Sequence, residues 1–316
     1  MSGRAGGSSR RALGILAGAA LFVLALGLGA FAADPLGVSQ RVHGWQLARA
    51  GVSRQFFRGK DGTELRVLQL GKLSAPVPVV LLHGLGATSD YWTATALRLL
   101  AEGRTVLIPD APGSGGSERP PTPEGYGLAA RVAAVESLVS ALALDKVDLV
   151  GHSLGGWTAG VYALQSPYHV RRLVLVDAAG LTRPAPGTEE ELRRGLMPQT
   201  PAEAKRFLSY LFVRTPFPRV GCIVAGLART YRHENVLETV DRLREEDGLL
   251  GREERLPRGT ALIWGEGDEL FPLGDARSAA ARIPASRLFV ITGVGHDGPL
   301  EAPSVFDEAL RRALAP

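Results

Sequence analysis

Six short apolar runs, at residues 77–82, 105–108, 147–150, 173–176, 261–264 and 288–291, constrain the fold of this chain more than any other feature. Each is nearly free of polar side chains and bounded by turn residues, as a strand buried on both faces should be. Between them, residues 128–144, 154–165, 276–282 and 303–314 carry helical spacing. Strand and helix in alternation predict an α/β chain with a doubly wound, mostly parallel sheet. Upstream, residues 53–57 and 64–70, joined through Lys60-Asp61-Gly62, predict an antiparallel hairpin at the sheet edge. Residues 181–258 break the rhythm: they are rich in charge and proline, with helix-like segments at 201–213 and 236–244 and no strand pattern. They read as a helical cap inserted between the sixth and seventh strands. No repeat of 20 to 50 residues runs through the chain, which excludes solenoids and propellers.

The 316 residues are 45% hydrophobic, with 36 Lys and Arg against 32 Asp and Glu, a globular composition with a net charge of +4. Three of the basic residues, Arg4, Arg10 and Arg11, precede residue 34; without them 33 basic residues face 32 acidic ones, a net of +1. So balanced a body lacks the concentrated basic face that nucleic-acid binding requires. Cys222 is the one cysteine, so no intramolecular disulfide forms. Residues 12–33 carry no charge, follow Arg10-Arg11, and end in Ala30-Phe31-Ala32, a small-x-small pattern before Ala33. That length can cross a bilayer, and the three-part layout also suits a secretory signal. Residues 1–33 therefore read as a cleaved signal or as an anchor that keeps residues 12–33 in the membrane, and Ser9-Arg10-Arg11 resembles a twin-arginine signal. Basic residues before the span favour a cytoplasmic N-terminus. Both readings put residues 34–316 outside the cytoplasm, either anchored and facing outward or secreted or periplasmic.

Gly151-His-Ser-Leu-Gly155 lies directly between a predicted strand and a predicted helix. This is the setting of a nucleophile elbow, a sharp turn that lifts the Ser153 hydroxyl above the sheet. A serine near neutral pH needs a base, and that base needs a third group to hold it. Only His169, His233 and His296 follow Ser153. His296 sits just past the last strand, where α/β sheets build their sites; His169 and His233 read as surface or packing histidines. For the orienting acid, Asp268 in Trp264-Gly-Glu-Gly-Asp268 is favoured by chain order and loop position, with Asp177 after residues 173–176 as runner-up. Glu266 and Glu269 read as loop carboxylates. Two backbone N–H groups must face the developing oxyanion, and Leu154, after the nucleophile, and Leu85, in His83-Gly-Leu-Gly86, are the candidates. His83 reads as a structural hydrogen-bonding residue. The glycine-rich stretch from Asp110 to Ser117 lacks the Lys of a phosphate-binding loop and reads as a turn.

Taken together, His83-Gly-Leu-Gly86, Asp110-Ala-Pro-Gly-Ser-Gly-Gly-Ser117, Gly151-His-Ser-Leu-Gly-Gly156, Trp264-Gly-Glu-Gly-Asp268 and Gly295-His296 followed by Glu301-Ala-Pro303 resemble the α/β-hydrolase superfamily over roughly residues 50 to 314. The apolar N-terminal segment, Val176-Asp-Ala-Ala-Gly180 and Phe207-Leu-Ser-Tyr-Leu-Phe212 are similar to membrane-associated monoacylglycerol lipases and related bacterial lipases. The resemblance implies a serine hydrolase of carboxylic esters, acting on a small-molecule ester, with no metal and no organic cofactor. Dehalogenases and epoxide hydrolases of the same superfamily use Asp where this chain has Ser153. Thioesterase, acyltransferase, C–C bond hydrolase and perhydrolase activities are the enzymatic alternatives; a receptor-like hydrolase that binds its ligand and turns over slowly is the other. Within the cap, Phe207, Tyr210, Leu211, Phe212 and Phe217 are candidates for an acyl pocket or for packing the cap onto the sheet.

Overall fold

The computed structural model describes residues 35–73, 77–181, 200–216, 221, 224, 226 and 234–315. The uncharged segment 12–33, His233, Cys222 and Phe217 lie outside the described residues. No helix among the described residues is long and apolar enough to cross a membrane.

Eight strands form one sheet: β1 (Ser53–Arg58), β2 (Glu64–Leu70), β3 (Val79–Leu82), β4 (Val106–Pro109), β5 (Val147–His152), β6 (Val170–Val176), β7 (Ala261–Gly265) and β8 (Arg287–Ile291). Their order across the sheet is β1-β2-β4-β3-β5-β6-β7-β8. The hairpin β1–β2 and the β2–β4 pair are antiparallel, and every pair from β4 to β8 is parallel. The doubly wound sheet expected from the apolar runs is the one observed.

The near-continuous apolar runs have a direct structural cause. Val80, Leu82, Leu107, Leu149, Leu175, Leu262 and Trp264 point to one face. Val79, Leu81, Val106, Ile108, Val150, Val174 and Ile263 point to the other. Successive side chains of a strand alternate faces, so a strand covered on both sides needs apolar residues at every position. The first face packs against α3 (Leu128–Ala141), α4 (Leu154–Gln165) and α7 (Leu273–Arg282). The second packs against α1 (Pro35–Arg49), α2 (Thr93–Ala101) and α8 (Pro303–Ala313).

Between β6 and β7 the described chain forms α5 (Pro201–Leu211), α6 (Glu234–Arg242) and two short 3₁₀ turns, with no strand among the described residues. Helix α5 starts at a capping box in which the Thr200 hydroxyl accepts from Glu203 N–H and the Glu203 carboxylate accepts from Thr200 N–H. The segment after α6 is pinned to the body. Trp157 Nε1 donates to Asp247 O at 3.0 Å, and Leu249 and Leu250 N–H both donate to Gly180 O.

The strand order reverses between the neighbours β3 and β5: β3 leads to α2 on the second face and back to β4, whereas β5 leads to α4 on the first face and on to β6. Ligands of open α/β sheets bind in the crevice at such a reversal, beyond the carboxyl ends of the strands. The loops leaving β3 and β5 at that edge begin with His83 and Ser153.

Candidate active site

Ser153 sits between β5 and α4 with φ 53° and ψ −121°, a left-handed backbone that a non-glycine residue adopts only under constraint. The constraint is visible. Ser153 N–H donates to Val176 O, and Ser153 O accepts from Gly156, Trp157 and Ala179 N–H. The flanking glycines are sterically required: a Cβ on Gly151 would lie 2.2 Å from Gly155 O, and one on Gly155 would lie 2.4 Å from Leu82 O. The chain thus folds tightly enough to lift one hydroxyl above the sheet.

Beyond the carboxyl ends of β7 and β8, two loops are pressed back to back. A Cβ on Gly265 would lie 2.0 Å from Gly295 O, and Gly267 N–H donates to Val294 O. This contact brings Asp268 to His296. Asp268 Oδ2 accepts from His296 Nδ1 at 2.8 Å, while Oδ1 accepts from Leu270 and Phe271 N–H at 2.8 and 2.9 Å. A carboxylate on Nδ1 places the imidazole proton there and leaves Nε2 as the acceptor. Burial acts to lower the His296 pKa, but the charge of Asp268, its hydrogen bond and the charge of Asp297 outweigh it, so the pKa is raised.

The other sequence candidates fall into place around this pair. Asp177 is buried at the end of β6, with φ 41°, and does not take the place of Asp268: its Oδ1 accepts from Gly265 N–H at 2.8 Å, and its carboxyl hydrogen-bonds that of Asp268. Leu154 N–H opens α4, and Leu85 follows Gly84, where a Cβ would lie 3.1 Å from Ser153 Cβ. Among the described residues neither amide is given to a protein acceptor. His83 is a buried structural residue, its Nδ1 donating to Gly84 O and its Nε2 accepting from Ala111 N–H. Glu266 accepts from Gly293 N–H, as a loop carboxylate. His169 is half-buried, with Nδ1 2.9 Å from Asp145 O. Phe207 and Phe212 are buried with Ala204, Leu208 and Leu211 of the α5 segment and with Leu270, from the loop after β7, in one cluster, and Tyr210 packs half-buried against it.

Sequence reasoning missed a second layer of polar residues. His152, next to Ser153, donates from Nε2 to His296 O at 3.0 Å and stacks on Tyr91 with ring centroids 4.9 Å apart. Tyr91 OH donates to Asp297 Oδ1 at 3.0 Å. Burial, then the charge of His296, holds His152 well below its ordinary pKa, and burial pushes Asp297 up to about 6. Adjacency to Ser153 and His296 was the available signal for His152 and Asp297; Tyr91 gave none.

Asp177 and Asp268 cannot both be ionised in hydrogen-bond contact. Burial, then the charge of Asp268, pushes Asp177 well above the usual carboxylate range. The raised pKa favours the protonated form of Asp177, which can then donate to Asp268. Asp177→Asn, whose amide can donate the same bond and whose backbone tolerates positive φ, should keep kcat within about threefold, while Asp177→Ala should lose about 10- to 100-fold. Steady-state kinetics on an aryl ester check this; equal losses in both variants would mean that the donated proton is irrelevant.

A family model described as the alpha/beta hydrolase fold matches residues 77–221. The chain is 32% identical to a 2-hydroxymuconate semialdehyde hydrolase of Pseudomonas sp. (strain CF600), over 76% of this chain and 88% of that one. It is 25% identical to a monoacylglycerol lipase of Xenopus laevis, over 83% and 82% of the two chains. Among solved structures, a membrane phospholipase A described as a bacterial virulence factor superposes with a TM-score of 0.76 at 25% identity, covering 97% of this chain and 98% of that one. With the sheet order, the strained serine turn and these similarities in agreement, the chain belongs to the α/β-hydrolase fold family and is a hydrolase.

Proposed function

We propose that the chain hydrolyses carboxylic esters through Ser153, His296 and Asp268. The observation that carries this reading is the 2.8 Å bond from buried His296 Nδ1 to Asp268, in a loop tied by His296 O to His152, the residue before a serine held at positive φ. His296 Nε2 takes the Ser153 proton as Oγ attacks the ester carbonyl carbon, and Leu85 and Leu154 N–H hold the resulting oxyanion. Collapse of that intermediate breaks the bond to the alcohol, which leaves with the proton from His296. Water, deprotonated by the same histidine, then attacks the acyl-enzyme and releases the acid and free Ser153.

In this reading residues 34–316 form one hydrolase body, with residues 181–258 as its cap and residues 1–33 as a membrane-directed leader that exports it. The cap cluster holding Phe207, Tyr210 and Phe212 is the proposed wall for the acyl chain, because Leu211, at its edge, gives its carbonyl to Asp297 N–H beside His296. A lipid-like ester, such as a monoacylglycerol, is the proposed substrate, in line with the named activities of two similar proteins. The 32% identity to 2-hydroxymuconate semialdehyde hydrolase favours C–C bond hydrolysis as the second reading.

The deciding experiment is a substrate panel on the full chain, with aryl esters from acetyl to palmitoyl, monoacylglycerols and 2-hydroxymuconate semialdehyde. The proposal expects kcat/KM to rise with acyl length. A flat response would remove the lipid reading, and turnover of the semialdehyde alone would replace it with the second.

Because His296 must be neutral to act as base, kcat/KM should climb with pH through an apparent pKa above 6.5. In Asp268→Asn the groups that raise it are reduced and burial is left to act, so the limb should shift to lower pH while kcat falls about 10⁴-fold. A pH–rate profile of both proteins measures this; an unmoved limb would assign it to another group.

A further inference from the structure

Arg131 lies one turn into α3 and is only 5% exposed. Its Nη2 is 3.4 Å from Thr239 Oγ1 on the cap helix α6, and its Nε has no hydrogen-bond partner. Among the described residues no carboxylate pairs with it. Burial lowers its pKa to about 10, which leaves it a cation at neutral pH. The turn that it occupies offers no relief, because α3 has no acid in its first turn and no side-chain cap, and a cation near a helix N-terminus opposes the helix dipole.

Among the described residues, the neighbours carry no spare negative charge. Asp110 is taken up by Arg66 Nε at 2.6 Å, Ser89 N–H at 2.7 Å and Gly116 N–H at 2.9 Å. Burial, the largest influence, lowers His83 to about 4, so it is neutral. Arg66 and Asp110 cancel, which leaves the cluster with the single positive charge of Arg131. Buried charges in proteins are paired or ligated, because an uncompensated one is costly. Beside Arg131 lies a cavity of about 30 Å³ lined by Leu82, His83, Asp110, Val135, Gly155 and Thr158. That is more than a single water requires and suits a small ion or a carboxylate group.

We propose that this cavity is an anion site in which Arg131 binds one small monovalent anion, a halide or a carboxylate. The charge comes from a free ion or from a carboxylate on the substrate itself. Gly155, in its wall, is two residues from Ser153, and His83 leads into the Gly84-Leu85 loop. The site rests on the charge of Arg131 and stands apart from the ester reading, so its primary test needs no turnover.

Thermal unfolding of the full chain, in halide-free solution with ionic strength held by sulfate, is followed as sodium formate or sodium bromide replaces the sulfate. The midpoint should rise steadily with either anion in the wild type, by mass action, rise in Arg131→Lys, and stay flat in Arg131→Met. An equal rise in all three, the mark of a general salt effect, or a flat wild-type response overturns the site. Bromide located by anomalous scattering in a wild-type crystal tests it without any variant: a peak beside Arg131 Nε supports the site, and an empty cavity overturns it. The source follows from inhibition of the wild type. Formate that competes with the p-nitrophenyl ester of hydrogen succinate but not with p-nitrophenyl butyrate assigns the site to a substrate carboxylate. A thermal shift without such competition assigns it to a free ion.

Discussion

Ser153→Ala should lower kcat on p-nitrophenyl butyrate by about 10⁴- to 10⁶-fold, while KM and the unfolding midpoint change little. At 1.36 kcal/mol per factor of ten, that is about 5–8 kcal/mol of transition-state stabilisation carried by a single hydroxyl and the groups behind it. His296→Ala should cost about as much, and the double variant little more than either, because residues acting as one unit lose their effect together. Ser153→Gly separates chemistry from strain. It should be equally inactive, yet more stable by about 1 kcal/mol, because glycine adopts φ 53° without the cost that serine bears there. Kinetics and thermal unfolding measured on the same preparations test both halves. Retained activity in Ser153→Ala would leave the elbow with no catalytic meaning.

The second large effect falls on a glycine remote from substrate. Gly265→Ala would push a methyl group to 2.0 Å from Gly295 O and 2.7 Å from Val294 O, both backbone atoms that cannot swing away. The loops holding Asp268 and His296 would have to separate, and the Gly265 N–H bond to Asp177 would be disturbed with them. The expected cost is about 3 kcal/mol or more, roughly 10 °C in the unfolding midpoint. Since a misplacement of about 1 Å can cost 10²-fold in rate, kcat should fall about a hundredfold in the protein that still folds. Gly274→Ala is the control. It meets nothing within 4 Å in α7, and should stabilise by about 0.5–1 kcal/mol as an ordinary helix glycine replaced by alanine. If the two variants behaved alike, the close approach of the loops would not matter.

Legibility in the sequence followed how many faces each segment buries. Strands β3, β4, β5 and β7, buried throughout, announced themselves as apolar runs. Strand β6 begins three residues before its apolar run because Arg171 and Arg172 separate its first residue, Val170, from that run. Those cations belong in the sheet for a reason invisible in one dimension: both approach the buried carboxylate of Asp148, on the neighbouring strand. Two helices gave no usable pattern. Helix α1 contains Gly37 and Gly44 and leaves Val42 and Trp45 exposed, while α2 is nine residues long and places buried threonines at 93 and 95.

The site divided in the same way. Ser153, His296 and Asp268 each stand at a strand end in a short motif, so position alone singled them out. Asp177 also stands at a strand end, so order and position could only rank it; its partners, Gly265 N–H and the carboxyl of Asp268, are visible only in three dimensions. Tyr91 and Arg131 lie in segments with no motif, and their roles follow from burial and from partners, or the lack of them, across the fold.

The central claim is that Ser153 is the nucleophile of an ester hydrolase. Its most direct test is a single-turnover quench of the full chain with p-nitrophenyl butyrate, followed by peptide mass analysis. The account predicts one butyryl group on the peptide carrying Ser153, formed as fast as the p-nitrophenolate burst and absent in Ser153→Ala. Turnover with no acyl-enzyme, or with the butyryl group on another residue, would contradict it.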